Sequence, residues 1–184
     1  MNFLVQVKLR LIMRSLKNNF LSITVLVCLV MNANVSYASS YTVRCNPLIR
    51  QLSFDVSFEE TYAVCKTAAE QGDADAQYNL GLMYFDGYGV SKDDIAAVKW
   101  FRAAAEQVNV NAQYFLGMMY ASGDGLIQNH LKAHMWFNIA EANGSFIATA
   151  SRNHVSQLMS NEQITQAQKL ARQCLNSNYT DCGY

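Results

Sequence analysis

The chain has 184 residues, 51% of them hydrophobic, and its 14 basic residues balance 14 acidic ones. With no basic cluster beyond the first twenty residues, it lacks the electrostatic footprint of a nucleic-acid or anionic-lipid binder. Its only proline, Pro47, precedes every helical pattern, so no helix interior downstream is interrupted by one.

Residues 1–38 read as an export signal. Lys8, Arg10, Arg14 and Lys17 precede an uncharged apolar run from Phe20 to Met31, and Ser36-Tyr37-Ala38 offers small residues for cleavage after Ala38. The charged leader is long, so Met13 is an alternative start. A membrane anchor needs close to 20 apolar residues, whereas this run is shorter and breaks at Asn32 and Asn34. Cys28 follows Val27 inside the run, which disfavours lipidation. Cleavage leaves about 146 residues, a single-domain size, with 10 basic against 14 acidic residues.

After a segment at 39–56, apolar residues at helical spacing predict an all-α domain with helices near 57–71, 74–85, 94–107, 110–121, 130–143, 146–158 and 161–175. Two of these units are copies. AQYNLGLMYFDGYG at 76–89 returns 36 positions later as AQYFLGMMYASGDG, and aligning 73–108 on 109–144 gives 13 identities. Such a period signals a solenoid whose units bury their apolar faces on one another. Each repeat reads as helix A, a loop with Gly87-x-Gly89 or Gly123-x-Gly125, and helix B. Residues 57–72 match a B helix and form an N-terminal half-repeat, while 145–184 form a degenerate C-terminal cap.

Boundary residues agree with this division. Asp73, Asp93, Asn109 and Asn129 are placed to cap helix starts, and Ser160-x-x-Gln163 forms a capping box. Gly72 and Gly144 suit left-handed helix ends. Val108 breaks that pattern at the corner between them, which is expected to close through Asn109. Gly81 and Gly117 are expected to face the small residues Ala97, Ala104, Ala133 and Ala140, with Tyr84, Tyr120, Trp100 and Trp136 filling the larger gaps.

Cys45, Cys65, Cys174 and Cys182 remain after cleavage, an even count that reads as two disulfides with three possible connectivities. A solenoid holds its ends apart and a disulfide needs Cα atoms within about 7 Å. Local pairing, Cys45–Cys65 and Cys174–Cys182, is therefore expected. A core position for Cys182 is hard to arrange in so polar a tail.

Ala76, Leu80-Gly81, Tyr84, Gly87-x-Gly89-Val90, Asp93, Ala97, Trp100, Ala104-Ala105 and Gly72 together resemble the Sel-one-like repeat family, relatives of tetratricopeptide repeats, over roughly residues 60 to 145. WFNIAEANG and MSNEQITQAQKLARQC look like the ending of small bacterial members. The resemblance implies a superhelix of antiparallel helix pairs acting as a protein-binding scaffold, often exported. It also implies an enzymatic alternative, since cysteine-rich members are associated with β-lactam binding and weak hydrolysis. Those carry a cysteine pair in each repeat, and this chain does not.

In tetratricopeptide-like solenoids the A helices line the concave side. The A-helix positions that differ between the units, together with Tyr78 and Tyr114, then predict a partner surface of Asp75, Tyr78, Asn79, Leu82, Asn111, Tyr114, Phe115 and Met118. His130 and His134 are four apart on one helix, but no third ligand accompanies them, and they read as a solvated face. No catalytic constellation, metal or cofactor is predicted. The expected partner is another protein or peptide, bound by a periplasmic or secreted monomer as an adaptor or as an immunity-type inhibitor of a toxic effector.

Overall fold

A computed structural model describes Cys45 and residues 57–183; residues 1–38, where an export signal is expected, and the rest of segment 39–56 lie outside the described residues. Within them the chain forms seven helices: α1 (Phe58–Glu70), α2 (Ala74–Asp86), α3 (Asp94–Glu106), α4 (Val110–Ser122), α5 (His130–Ala142), α6 (Phe146–Ser156) and α7 (Asn161–Asn176). From α1 to α6 each helix packs antiparallel on the next, and α7 turns back onto α5. The fold is all-α, a short solenoid in which α2 and α4 are A helices and α3 and α5 are B helices. Among the described residues no helix is long and apolar enough to cross a membrane.

Helix starts follow the caps expected from sequence. The side chains of Asp73, Asp93, Asn109 and Asn129 accept from the backbone N–H of Ala76, Ala96, Ala112 and Lys132. Ser160 and Gln163 form the capping box of α7, and Ser57 with Glu60 forms another at α1. Each satisfies donors that the first helical turn leaves without partners.

The corners at 72, 108 and 144 are one structure used three times. Asp73, Asn109 and Ser145 donate backbone N–H to Ala68, Ala104 and Ala140 carbonyls at 3.2, 3.0 and 2.9 Å. The residue before each is left-handed, with φ of 94° at Gly72, 66° at Val108 and 101° at Gly144. The middle corner closes through the Asn109 backbone N–H as expected, while the Asn109 side chain caps α4 and its φ of −69° is ordinary. Val108 itself takes the left-handed conformation, because the hydrogen-bond geometry of the corner prescribes it whatever the side chain.

Gly81 and Gly117 admit rings, not a second small residue. A Cβ on Gly81 would stand 2.6 Å from the Phe101 ring, and one on Gly117 would stand 2.5 Å from the Phe137 ring. The alanines of the B helices are buried elsewhere in the same interfaces. Loop glycines are equally constrained: a Cβ on Gly89 would lie 2.2 Å from the Phe58 carbonyl oxygen, and one on Gly125 would lie 2.3 Å from that of Asp94. Each loop thus rests against the first turn of the preceding B helix. Of the two tryptophans, Trp136 is fully buried and Trp100 only half so.

A polar ladder runs through the apolar interior. Gln77 donates to the Ala69 carbonyl and accepts from Gln107 Nε2; one repeat on, Gln113 donates to Ala105 and accepts from Asn143 Nδ2. Each buried amide thereby ties the B helices on both sides to the A helix between them, and its polar atoms are paired as burial demands. The C-terminal tail closes the ladder, since Asn143 Nδ2 also bonds to the Tyr179 hydroxyl at 2.7 Å.

Both disulfides form with the expected pairing, Cys45–Cys65 with Cα atoms 4.7 Å apart and Cys174–Cys182 at 4.4 Å. Cys182 is nevertheless buried, at 2% exposure. The tail turns through left-handed Asn178 and Tyr179 and folds back on α7, which gives a polar segment a covered cysteine.

Candidate partner-binding site

The structure divides the eight residues expected at the partner surface into three groups. Asp75 and Asn111 are exposed, and Asp75 Oδ1 accepts from the Asn109 side chain at 2.8 Å. Asn79 is buried at 7% exposure and is no part of a rim, because the helix turns it inward beside Leu80. Tyr78, Leu82, Tyr114, Phe115 and Met118 are half-buried and pack on the core.

Phe115 sits at the centre of a ring cluster. It stacks on Phe101 at 5.0 Å and meets Tyr78, Phe85 and Tyr114 edge-on at 5.7, 6.1 and 5.9 Å. Such ring pairs contribute beyond the area they bury. Burial raises the Tyr78 phenol above its ordinary range, and the Asp86 carboxylate adds to the effect. Burial likewise raises the Asp86 carboxyl, opposed by Lys92, whose ammonium stands 5.2 Å from the Phe85 ring centre.

Met118 lies elsewhere, in an open cleft of about 660 Å³. Its walls come from the C-terminal halves of α4 and α6, the loop carrying Asp124 and Gln128, and the first turn of α5 at His130. Phe85, Phe137, Val155 and Leu158 supply much of its apolar lining, with Ala150, Ser151 and His154 on the α6 side. Asp124 is the one formally charged residue in the lining, and its Oδ2 accepts from the Ser122 hydroxyl at 2.6 Å.

Sequence reasoning missed the α6 half of this cleft, although the signal was present. Ala150, Ser151, His154 and Leu158 stand one period beyond Tyr114, Phe115, Met118 and Ser122. The unit looked dissolved because Arg152 and Asn153 replace Leu116 and Gly117, yet its outer face keeps the register of an A helix.

The histidines do not form one solvated face. His134 is buried at 2% exposure, and its Nδ1 accepts from Asn138 Nδ2 at 2.8 Å; His130 is half-buried and His154 exposed. Among the described residues no group of three or more His, Cys, Asp or Glu is placed to hold a metal ion.

Helix pairs repeating every 36 residues, joined by glycine loops and stacked through buried alanines and rings, define an α/α repeat scaffold. Residues 74–109 and 110–145 match the Sel1 repeat, and the chain is a Sel1-repeat protein. It resembles the crystal structure of a protective antigen present in uropathogenic Escherichia coli strains, which displays the Sel1-like repeat fold. There the identity is 29%, the TM-score 0.68, and the match covers 76% of this chain and 31% of that one. A Sel1 repeat protein from Oxalobacter formigenes is also similar, at 29% identity and TM-score 0.58, over 77% of this chain and 66% of that one. The chain therefore spans under a third of the first neighbour's length and about two thirds of the second's. No curated protein sequence is significantly similar to it.

Proposed function

We propose that this chain is a non-enzymatic scaffold that works outside the cytoplasm and holds a segment of a partner protein in the cleft between α4, α5 and α6. The cleft carries this reading: it is concave, largely apolar, and rimmed by a few polar groups, the usual anatomy of a recognition site. Two disulfides support an oxidising compartment, and the expected export signal would bring the chain to the periplasm. A role as envelope adaptor predicts exchangeable complexes, whereas an immunity role predicts one very tight complex.

The test is affinity capture from periplasmic extract with the wild type beside Met118→Asp, followed by titration of the captured protein. Met118→Asp places a charge on the cleft wall without entering the Phe101–Phe115 stack, which Phe115→Asp would break. Loss of capture with unchanged helicity is expected; equal capture by both would refute the cleft as the surface. Incubation with a chromogenic β-lactam, expected to show no turnover above buffer and no covalent adduct, checks the non-enzymatic reading.

A further inference from the structure

We propose that the cleft receives an aromatic side chain presented by a peptide segment of a partner, with a cationic residue beside that ring. The proposal rests on the scaffold reading above and adds the chemistry of the occupant. Its ground is an internal comparison, because the preceding repeat fills the same place with its own side chains.

The two repeats begin alike. Tyr78 lies against Phe101 with ring centres 6.0 Å apart and planes at 41°, and Tyr114 lies against Phe137 at 5.7 Å and 43°. In the first repeat the free side of Phe101 is then covered by Phe115, with Phe85 edge-on to Phe115 and Lys92 above Phe85. One period on, the corresponding residues are Ser151 for Phe115, Ala121 for Phe85 and Gln128 for Lys92. All three line the cleft, and Phe137 stands among them. Two rings and one cation have been removed from an otherwise repeated arrangement, and the space they vacate is the cleft.

Charge points the same way. Where the first repeat has Tyr88 the second has Asp124, which forms no ion pair among the described residues and lies at the cleft. A ring on Phe137 with an adjacent Lys or Arg near Asp124 would replace what Phe115, Phe85 and Lys92 supply one repeat earlier. An apolar aliphatic segment would fill volume but would forfeit the ring stacking and leave Asp124 unanswered.

The experiment selects binders from a random peptide library displayed on phage, using the disulfide-bonded protein, and measures the best peptide by fluorescence anisotropy. Peptides with an aromatic residue next to Lys or Arg are expected, and changing the aromatic residue to Ala should weaken binding about tenfold or more. Ser151→Phe restores the missing ring and should abolish binding while raising the thermal midpoint; Ala121→Phe is the second plug, should the first fail to fold. Asp124→Asn should reduce the preference for the cation about threefold. Binders without an aromatic residue that are still blocked by the plugs would overturn this inference and leave the scaffold reading standing. Binders indifferent to both plugs, or a selection that yields none, would overturn the cleft as a site altogether.

Discussion

Val108 carries the left-handed conformation that glycine carries at both equivalent corners, and it is a β-branched residue for which that region is least comfortable. It is 46% exposed, so little burial is at stake. Val108→Gly should therefore raise stability by about 1 kcal/mol, the relieved strain exceeding the entropy glycine adds to the unfolded chain. Chemical denaturation of both proteins checks this, and a lower midpoint for the glycine variant would contradict the strain. His134 makes a second prediction. Burial, then the Arg152 guanidinium, lowers its imidazole below the ordinary 6.5, with Glu141 opposing. A folded value below the unfolded one means the unfolded chain binds more protons between the two. The contribution of His134 is thus complete above about pH 6.5 and is lost as pH falls through the folded value. His134→Gln should flatten the acid side of the stability profile over that window, as read by thermal melts across pH.

Loops and ladders decide how one helix pair seats on the next. Gly125 combines positive φ with a carbonyl oxygen where a Cβ would stand, while Gly144 has positive φ and open space. Gly144→Ala should cost about 1 kcal/mol for the backbone conformation alone, and Gly125→Ala more than twice as much, because the loop must leave the first turn of α3. Equal losses would mean the loop contact is not a constraint. In the ladder, Gln113→Ala removes two buried hydrogen bonds, although the Ala105 carbonyl keeps the Val108 N–H and the Asn143 amide keeps the Tyr179 hydroxyl, and should cost about 1–3 kcal/mol at about 0.5–1.5 kcal/mol per bond. Much at this scale was legible beforehand. Asp73, Asp93, Asn109 and Asn129 announce helix starts because a cap is a local bond, made within three residues. The Gln77 and Gln113 ladder was hidden, although both residues were among the identities, because its carbonyl partners lie 8 positions away and its side-chain partners 30, beyond the reach of a local cap.

Across the whole molecule the two disulfides belong to separate packing clusters, Cys45–Cys65 with α1 and α2, and Cys174–Cys182 with α5 and α7. Loop closure of this size corresponds to about 3 kcal/mol each. Removing both pairs should cost nearly the sum of removing each, since distant independent sites add. Denaturation of the two double-cysteine variants and their combination measures this, and a large coupling would show that the solenoid transmits order between its ends. The period and the cap residues determined the helix count among the described residues and, by keeping the ends apart, the cysteine pairing, because each follows from spacing along the chain. Only the tertiary structure decided that Asn79 turns inward, that Phe115 belongs to a ring cluster, and that Ser151 and Ala121 leave a cleft where the preceding repeat is full. Those depend on which side chains fill a space bounded by three helices, and no spacing within one helix records that.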